Sequence, residues 1–139
     1  MRHEESFGVI PLSKERGQWE VFLIQHNRGH YWGFPKGHAE KGESPHEAAF
    51  RELKEETNLN FVRLVREDPF IEQYQFSAEG KKIFKRVFYF VAEVSGKIQL
   101  QAKEIQDGIW LPLPEALKRV THSEGKSILS QVAQILPKI

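Results

Sequence analysis

Cysteine is absent from the 139-residue chain. Its absence excludes disulfide frameworks, thiol catalysis, CxxC redox chemistry and zinc knuckles, and it fits a reducing cytoplasm, which is the location that we predict. The sequence also lacks an uncharged run near the roughly 18 apolar residues that span a bilayer. Its charged first residues predict neither a secretory signal nor a transit peptide. We therefore expect no membrane attachment.

A strong excess of either charge is missing as well. Twenty Lys and Arg residues balance 19 Asp and Glu residues, a net charge of +1, which argues against a stable nucleic-acid partner. The charges are unevenly spread, however. Residues 40–56 hold six acids and three bases, whereas residues 79–86 hold four bases and one acid. The first segment favours cations and the second favours anions.

Hydrophobic patterning predicts one domain over residues 1–139, built as a mixed sheet with helices packed on it. Apolar or alternating runs predict strands at residues 6–12, 19–26, 61–65, 70–77, 83–94, 97–100 and 109–111. Helical spacing predicts a short helix from residue 114 and another over residues 124–136. The segment 27–41 is rich in Gly, His and aromatic residues, which predicts a loop that carries exposed side chains.

A further helix is predicted by its end signals. Ser44 can cap it, Pro45 suits its first position, and Glu47 completes a capping box. The helix should end near Thr57, because Asn58 tolerates the left-handed conformation of a C-terminal cap.

Three acids of this helix stand at i, i+3 and i+4, namely Glu52, Glu55 and Glu56. Their carboxylates should project from one side within reach of a common point. Crowded like charges are relieved by protonation or by a divalent cation, and oxygen ligands favour Mg²⁺ or Mn²⁺. The alternative is a solvated helix face on which Arg51 and Lys54 pair with the acids.

Residues 37–59 resemble the Nudix box, Gly-x5-Glu-x7-Arg-Glu-U-x-Glu-Glu-x-Gly-U, where U is a bulky aliphatic residue. The residues on pattern are Gly37, Glu43, Arg51, Glu52, Leu53, Glu55, Glu56 and Leu59. Asn58 stands where the family has its final glycine, a change that should preserve the helix cap. The resemblance implies an α/β Nudix fold, a mixed central sheet sandwiched between helices. It also implies Mg²⁺-dependent hydrolysis of a nucleoside diphosphate linked to another group.

The resemblance also assigns roles within the box. The metal ligands would be Glu52, Glu55, Glu56 and the Gly37 carbonyl, with Mn²⁺ able to replace Mg²⁺. Arg51 with Glu43 would brace the loop and the helix. Glu52 is the favoured general base and Glu104 the second candidate, with an ordinary loop carboxylate as the alternative for Glu104.

A narrower resemblance, to the diadenosine tetraphosphate hydrolase branch, comes from Tyr-Trp-Gly-Phe-Pro-Lys-Gly-His at residues 31–38 and from residues 85–90. It implies that Lys36 meets a phosphate and that Lys81, Lys82 and Lys85 supply positive charge. Tyr74 or Tyr89 would stack on adenine. The alternatives are sheet core for Tyr89 and a solubilised hairpin tip for Lys81 and Lys82. His38 is either a neighbour of the metal and substrate site or a surface residue.

The leading functional hypothesis is asymmetric hydrolysis of diadenosine tetraphosphate to ATP and AMP by a monomer or homodimer. Within the same chemistry, the substrate could instead be a nucleoside triphosphate, a triphosphorylated RNA 5′ end or a diphosphoinositol phosphate. A non-catalytic nucleotide-binding module is a hypothesis of another class, although such modules typically lack box glutamates and none is missing here. A scaffold domain would bind no divalent cation.

Overall fold

Eight strands and three helices build residues 1–137, the part of the chain that the computed structural model describes. The strands are β1 (Arg2–Ser13), β2 (Glu20–His26), β3 (Trp32–Gly33), β4 (Lys36–Gly37), β5 (Asn60–Leu64), β6 (Phe70–Ala78), β7 (Lys81–Ser95) and β8 (Ile105–Pro112). The helices are α1 (Pro45–Thr57), α2 (Leu113–Arg119) and α3 (Ser123–Ile135). Within residues 1–137, no helix has the length and apolar character needed to cross a membrane.

The strands form one mixed sheet. Its centre is the parallel pair of β1 and β7, which runs from Arg2 opposite Ile83 to Leu12 opposite Glu93. On the far side of β1 lie β4 and β2, and β2 pairs in turn with β3 and β8. On the far side of β7 lie β5 and β6. β7 is buried on both faces over much of its length, as a central strand should be.

Helices cover both faces of the sheet, because alternate side chains of each strand point to opposite sides. On one face, Val9 belongs to a core that α1 covers with Ala49 and Leu53. On the other face, Ile10 belongs to a core that α2 and α3 cover, for example with Leu129. The predicted α/β fold with helices on both faces is therefore confirmed.

Helix α1 begins and ends where its end signals predict. The Ser44 hydroxyl accepts a hydrogen bond from the Glu47 N–H at 3.1 Å, and the Glu47 carboxylate accepts one from the Ser44 N–H at 2.9 Å. Pro45 occupies the first turn. At the other end, Asn58 adopts a left-handed conformation with φ of 70°, and its N–H donates to the Lys54 carbonyl. These local contacts fix which face of α1 carries the acids.

Replacing Asn58 with alanine should lower the free energy of unfolding by about 1–2 kcal/mol. Alanine lacks the tolerance of asparagine for positive φ, and it removes the hydrogen bond from Asn58 Nδ2 to the Lys97 carbonyl at 3.0 Å. Glycine at this position accepts the conformation without replacing the bond, so Asn58→Gly should fall between alanine and the wild type. Urea unfolding measures all three, and equal stability of Asn58→Ala and the wild type would contradict this view of the cap.

The predicted strand at residues 97–100 is wrong. The backbone there crosses the C-terminal end of α1, and the Gln99 N–H donates to the Thr57 carbonyl at 2.9 Å. Ile98 and Leu100 still pack on the core beneath α1. The alternation of apolar residues therefore does reflect burial. The backbone of this segment, however, hydrogen-bonds to the free carbonyl groups at the end of a helix and not to a neighbouring strand.

The segment 27–41 is a loop interrupted by β3 and β4, which the sequence analysis did not predict. Lys36 and Gly37 pair with Gly8 and Phe7 of β1. A Cβ atom on Gly8 would lie 2.3 Å from the Pro35 carbonyl oxygen, so glycine is what allows the two segments to approach. This close contact holds Lys36 and Gly37 beside the sheet.

Candidate active site

Arg51 joins the segment before α1 to the acidic face of the helix. Its Nε and Nη2 donate to the two carboxylate oxygens of Glu43 at 2.7 and 3.0 Å. Its Nη1 donates to Glu52 at 3.0 Å and to Glu55 at 3.1 Å, and its Nη2 also donates to the His38 carbonyl at 3.0 Å. The contact that the sequence analysis expected between Arg51 and Glu43 is therefore present in the structure.

These bonds keep both members of the Arg51–Glu43 pair charged. Hydrogen bonds with Glu43 above all, and with Glu52 and Glu55, raise the pKa of Arg51. The hydrogen bond from Arg51, followed by one from the Glu40 backbone N–H at 2.7 Å, lowers the pKa of Glu43. Because two parallel bonds fix a guanidinium on a carboxylate, this pair ties the preceding loop to α1 in one orientation.

Glu52 lies directly against the backbone of Gly37. A Cβ atom on Gly37 would lie 2.3 Å from the carboxyl carbon of Glu52 and from one of its oxygens. Only a residue without a side chain leaves room for that carboxylate. Gly37 thus brings the β4 segment and the acidic face of α1 into contact.

Glu56 is the buried acid of the site, with 2% of its surface exposed. Neither of its carboxylate oxygens accepts a hydrogen bond from an N–H group among residues 1–137. Burial first, then a hydrogen bond and charge repulsion with the Glu52 carboxyl group, and then the charge of Glu104 raise the pKa of Glu56 to about 10, and Lys36 opposes them. A buried carboxylate without a partner is stable only when a proton or a cation neutralises it.

Glu52 and Glu56 fit a hard divalent cation, because two neighbouring carboxylates, one of them without a partner, form an oxygen donor set suited to Mg²⁺ or Mn²⁺. Glu55, with about half of its side chain exposed, accepts a hydrogen bond from the same Arg51 Nη1 as Glu52 does. The structure places Glu52 beside Glu56, and the role of Glu55 as a third ligand stays a prediction. Accordingly, no group of three His, Asp or Glu side chains within residues 1–137 has the arrangement of a complete metal site.

Lys36 lies between this acidic face and a neighbouring cavity. Burial lowers its pKa, whereas Glu56 first, then Glu72 and Glu52, raise it. No carboxylate in the described part of the chain is within ion-pair distance of its ammonium group. A largely buried cation that several acids surround at longer range is placed to receive a negatively charged ligand.

The cavity beside Lys36 has a volume of about 240 Å³ and lies between β3, β4, β6, β7 and the start of α3. Its aromatic lining consists of Tyr31, Trp32, Phe34, Tyr74 and Tyr89. Its charged or titratable lining consists of Lys36, Glu72, His122 and Glu124. A pocket with large rings and a few polar groups is typical of sites for small organic ligands.

Of the residues expected to bind substrate, Lys36, Tyr74 and Tyr89 line this cavity. Tyr89 is 3% exposed and meets Phe34 edge to face at 5.2 Å, so it belongs to the core and contributes to the cavity wall from there. Lys85 pairs with Tyr74 across the β6–β7 ladder, and burial first, then the charge of Lys36, lower the pKa of Lys85. Lys36, Tyr74 and Lys85 are thus near one another, whereas Tyr89 has a different role.

Lys81 and His38 lie outside the lining of the cavity. Lys81 is exposed beside the Glu79–Gly80 turn, eight residues along β7 from Tyr89, a distance of about 26 Å in a strand. This distance removes Lys81 as a contact for a ligand confined to the cavity. His38 has 65% of its side chain exposed and its Nε2 lies 3.9 Å from Glu4, so it is a surface residue.

Sequence reasoning missed Glu72, His122 and Glu124. Glu72 had a usable signal, since alternation in a strand puts it on the same face as Tyr74. His122 and Glu124 had none, because the start of α3 reaches the cavity only through tertiary packing. His122 continues a stack of rings in which Tyr31 lies 4.4 Å from His26 and 5.1 Å from His122.

His26, at one end of this row of rings, stays neutral. Burial first, and then the charge of Lys36, lower the pKa of His26 to about 4, although a hydrogen bond with the Phe34 backbone opposes them. Its Nε2 atom is buried without a partner among the described residues. A neutral imidazole adds a flat ring and no positive charge to the wall behind Tyr31.

Glu104 approaches the acidic face from another part of the chain. It is close enough to Glu56 to raise the pKa of that acid, and it lines a second cavity with His26 and Tyr31. Its loop is held by Asn27, whose backbone N–H donates to the Glu104 carbonyl at 2.8 Å and whose side chain donates to the Ala102 carbonyl at 3.1 Å. The structure therefore brings the second candidate base next to the box acids.

Known proteins share this arrangement of chain and fold. The NUDIX domain family model matches residues 2–131. The asymmetrical bis(5′-nucleosyl)-tetraphosphatase of Caenorhabditis elegans is 32% identical over 131 residues, 93% of this chain and 94% of that protein. The Rattus norvegicus protein of the same name is 36% identical over 121 residues, 84% of this chain and 80% of that one.

Two solved structures agree with these matches. The crystal structure of the C. elegans Ap4A hydrolase superposes with a TM-score of 0.73 at 31% identity, covering 96% of this chain and 98% of that one. The Mutator MutT protein of Bacillus halodurans superposes with a TM-score of 0.75 at 26% identity, covering 96% and 83%. This chain belongs to the Nudix hydrolase family.

Proposed function

We propose that this protein hydrolyses diadenosine tetraphosphate asymmetrically to ATP and AMP with a divalent cation. The observation that carries the proposal is the unpartnered carboxylate of Glu56 beside Glu52, adjoining Lys36 and the aromatic cavity. The acids that would bind the divalent cation therefore adjoin the lysine that would bind a phosphate, and this lysine adjoins a pocket that fits one base. The names of the C. elegans and rat relatives support the same substrate.

Glu52, Glu56, the Gly37 carbonyl and, after release from Arg51, Glu55 would hold Mg²⁺ or Mn²⁺. When bound, the cation supplies charge that neutralises the phosphate oxygens and makes water a better nucleophile. Arg51 and Glu43 keep α1 and the Gly37 segment in register, so the acids stay aimed at one place. Glu52 is our first candidate for the base and Glu104 the second, since each lies beside Glu56.

The reaction needs few groups from the protein. Water adds to one phosphorus atom, the anhydride P–O bond to the neighbouring phosphate breaks, and a carboxylate accepts the proton that the water loses. Lys36 would hold a phosphate of the chain as a point charge, with Lys85 nearby as a second cation. Tyr74 and the other rings would hold one adenine.

As alternative substrates, another nucleoside polyphosphate, an RNA 5′ triphosphate end or a diphosphoinositol phosphate fits the same chemistry. The binding-module alternative is disfavoured because every box glutamate is present. The cytoplasmic location and the monomer or homodimer state stay predictions.

Steady-state assays on these four substrates with Mg²⁺ test the proposal. We expect the highest kcat/KM for diadenosine tetraphosphate, equal amounts of ATP and AMP as products, and loss of turnover when a chelator removes the cation. Much slower turnover of the dinucleotide than of another substrate would contradict the substrate assignment. Nucleotide binding with no turnover of any substrate would instead favour a binding module.

A further inference from the structure

The cavity beside Lys36 has room for one nucleoside and not for a whole dinucleotide. Its volume of about 240 Å³ is below the roughly 300–1,000 Å³ of pockets that enclose a drug-sized ligand. The rings of Tyr31, Trp32 and Tyr74 provide apolar faces, which suit a flat nucleobase. One end of an elongated substrate can therefore occupy the cavity while its phosphates lie outside.

Lys36 and Glu72 are two of the four charged or titratable residues that line this cavity. Lys36 is on the side of Glu56 and Glu52, where a phosphate would lie. Glu72 is on β6, on the same face as Tyr74. Because a carboxylate repels phosphate, and because Glu72 shares the cavity with these rings, it is suited to contact the base of a nucleotide.

Glu72 has no ionic partner among residues 1–137. Burial raises its pKa, Lys36 and His122 lower it from a distance, and Glu124 raises it. No hydrogen bond reaches its carboxylate from a donor among residues 1–137. A partly buried acceptor of this kind is stabilised by an N–H group of the ligand.

We propose that Glu72 reads the base, its carboxylate accepting a hydrogen bond from the exocyclic 6-amino group of an adenine ring in the cavity. The inference rests on the proposed function, because it needs the phosphates to extend past Lys36 toward Glu52. A base that has only hydrogen-bond acceptors at the edge where adenine has its 6-amino group would place lone pairs next to the Glu72 carboxylate. The carboxylate would then have no donor. The site therefore discriminates against such a base.

The test compares diadenosine tetraphosphate with the tetraphosphate that carries purine riboside at both ends and lacks only the 6-amino groups. With the wild type and Mg²⁺, we expect kcat/KM to be at least about tenfold lower for the purine riboside compound. The Glu72→Met variant keeps the length of the side chain and removes the acceptor. Its ratio of the two kcat/KM values should fall close to one.

Glu67→Met is the matched control, since it makes the same change at an exposed acid on the segment before β6, and it should keep the wild-type ratio. Thermal unfolding verifies that both variants are folded. Hydrolysis of neither compound by the wild type would overturn the proposed function, and the inference with it. Equal kcat/KM for both compounds in the wild type, or a ratio that persists in Glu72→Met, would overturn only the role of Glu72.

Discussion

The Glu56→Gln variant is expected to lose at least about tenfold in kcat and to gain stability in the absence of divalent cations. Glutamine keeps the size of the side chain and removes its negative charge. The divalent cation needs this negative charge as a ligand, so kcat should fall. Without a cation, the buried carboxyl group of Glu56 must take up a proton beside Glu52, which costs stability at neutral pH. Glutamine needs no proton, so the free energy of unfolding should rise by about 1–2 kcal/mol.

Two measurements separate these effects. Turnover of diadenosine tetraphosphate with saturating Mg²⁺ gives kcat, and urea unfolding in a chelating buffer gives stability. Glu115→Gln, an exposed acid in the first turn of α2, should change neither. An unchanged kcat in Glu56→Gln would favour the binding-module reading, and a large loss of stability would mean that Glu56 has a structural partner.

Helix α1 could be predicted almost completely, because its determinants are local. The capping box of Ser44 and Glu47 and the left-handed cap at Asn58 each depend on residues within four positions of one another. The pairing of Arg51 with Glu43 followed from the family resemblance and from their spacing across two turns. Such features need no knowledge of the rest of the fold.

Features that depend on distant segments could not be predicted. Residues 97–100 alternate like a strand, yet their partner is the end of α1, about 40 residues away. Glu72 and His122 meet at one cavity from β6 and the start of α3. The pairing of Glu55 with Arg51 was one of two options open to the sequence, and side-chain geometry decides between them. Periodicity identifies the face of an element but not what covers that face.

The Gly37→Ala variant is expected to fold and to lose at least about 100-fold in kcat. The new Cβ atom would lie 2.3 Å from the Glu52 carboxyl group, so the carboxylate must move away. The end of a glutamate side chain can rotate at little cost, and Gly37 has no positive φ that alanine would resist. Movement of the Glu52 carboxylate, however, breaks its 3.0 Å hydrogen bond from Arg51 and separates Glu52 from Glu56. Catalysis is lost because a displacement of about 1 Å already misaligns reacting groups.

Gly8→Ala provides the contrast, because its Cβ atom would lie 2.3 Å from the Pro35 carbonyl oxygen, which belongs to backbone and cannot rotate away. This variant should lose about 1–3 kcal/mol of unfolding free energy, whereas Gly37→Ala should stay within about 1 kcal/mol of the wild type. Urea unfolding and turnover of diadenosine tetraphosphate measure the two properties in both variants. Full activity in Gly37→Ala would mean that Glu52 need not occupy its position against Gly37, and would remove it as both cation ligand and base.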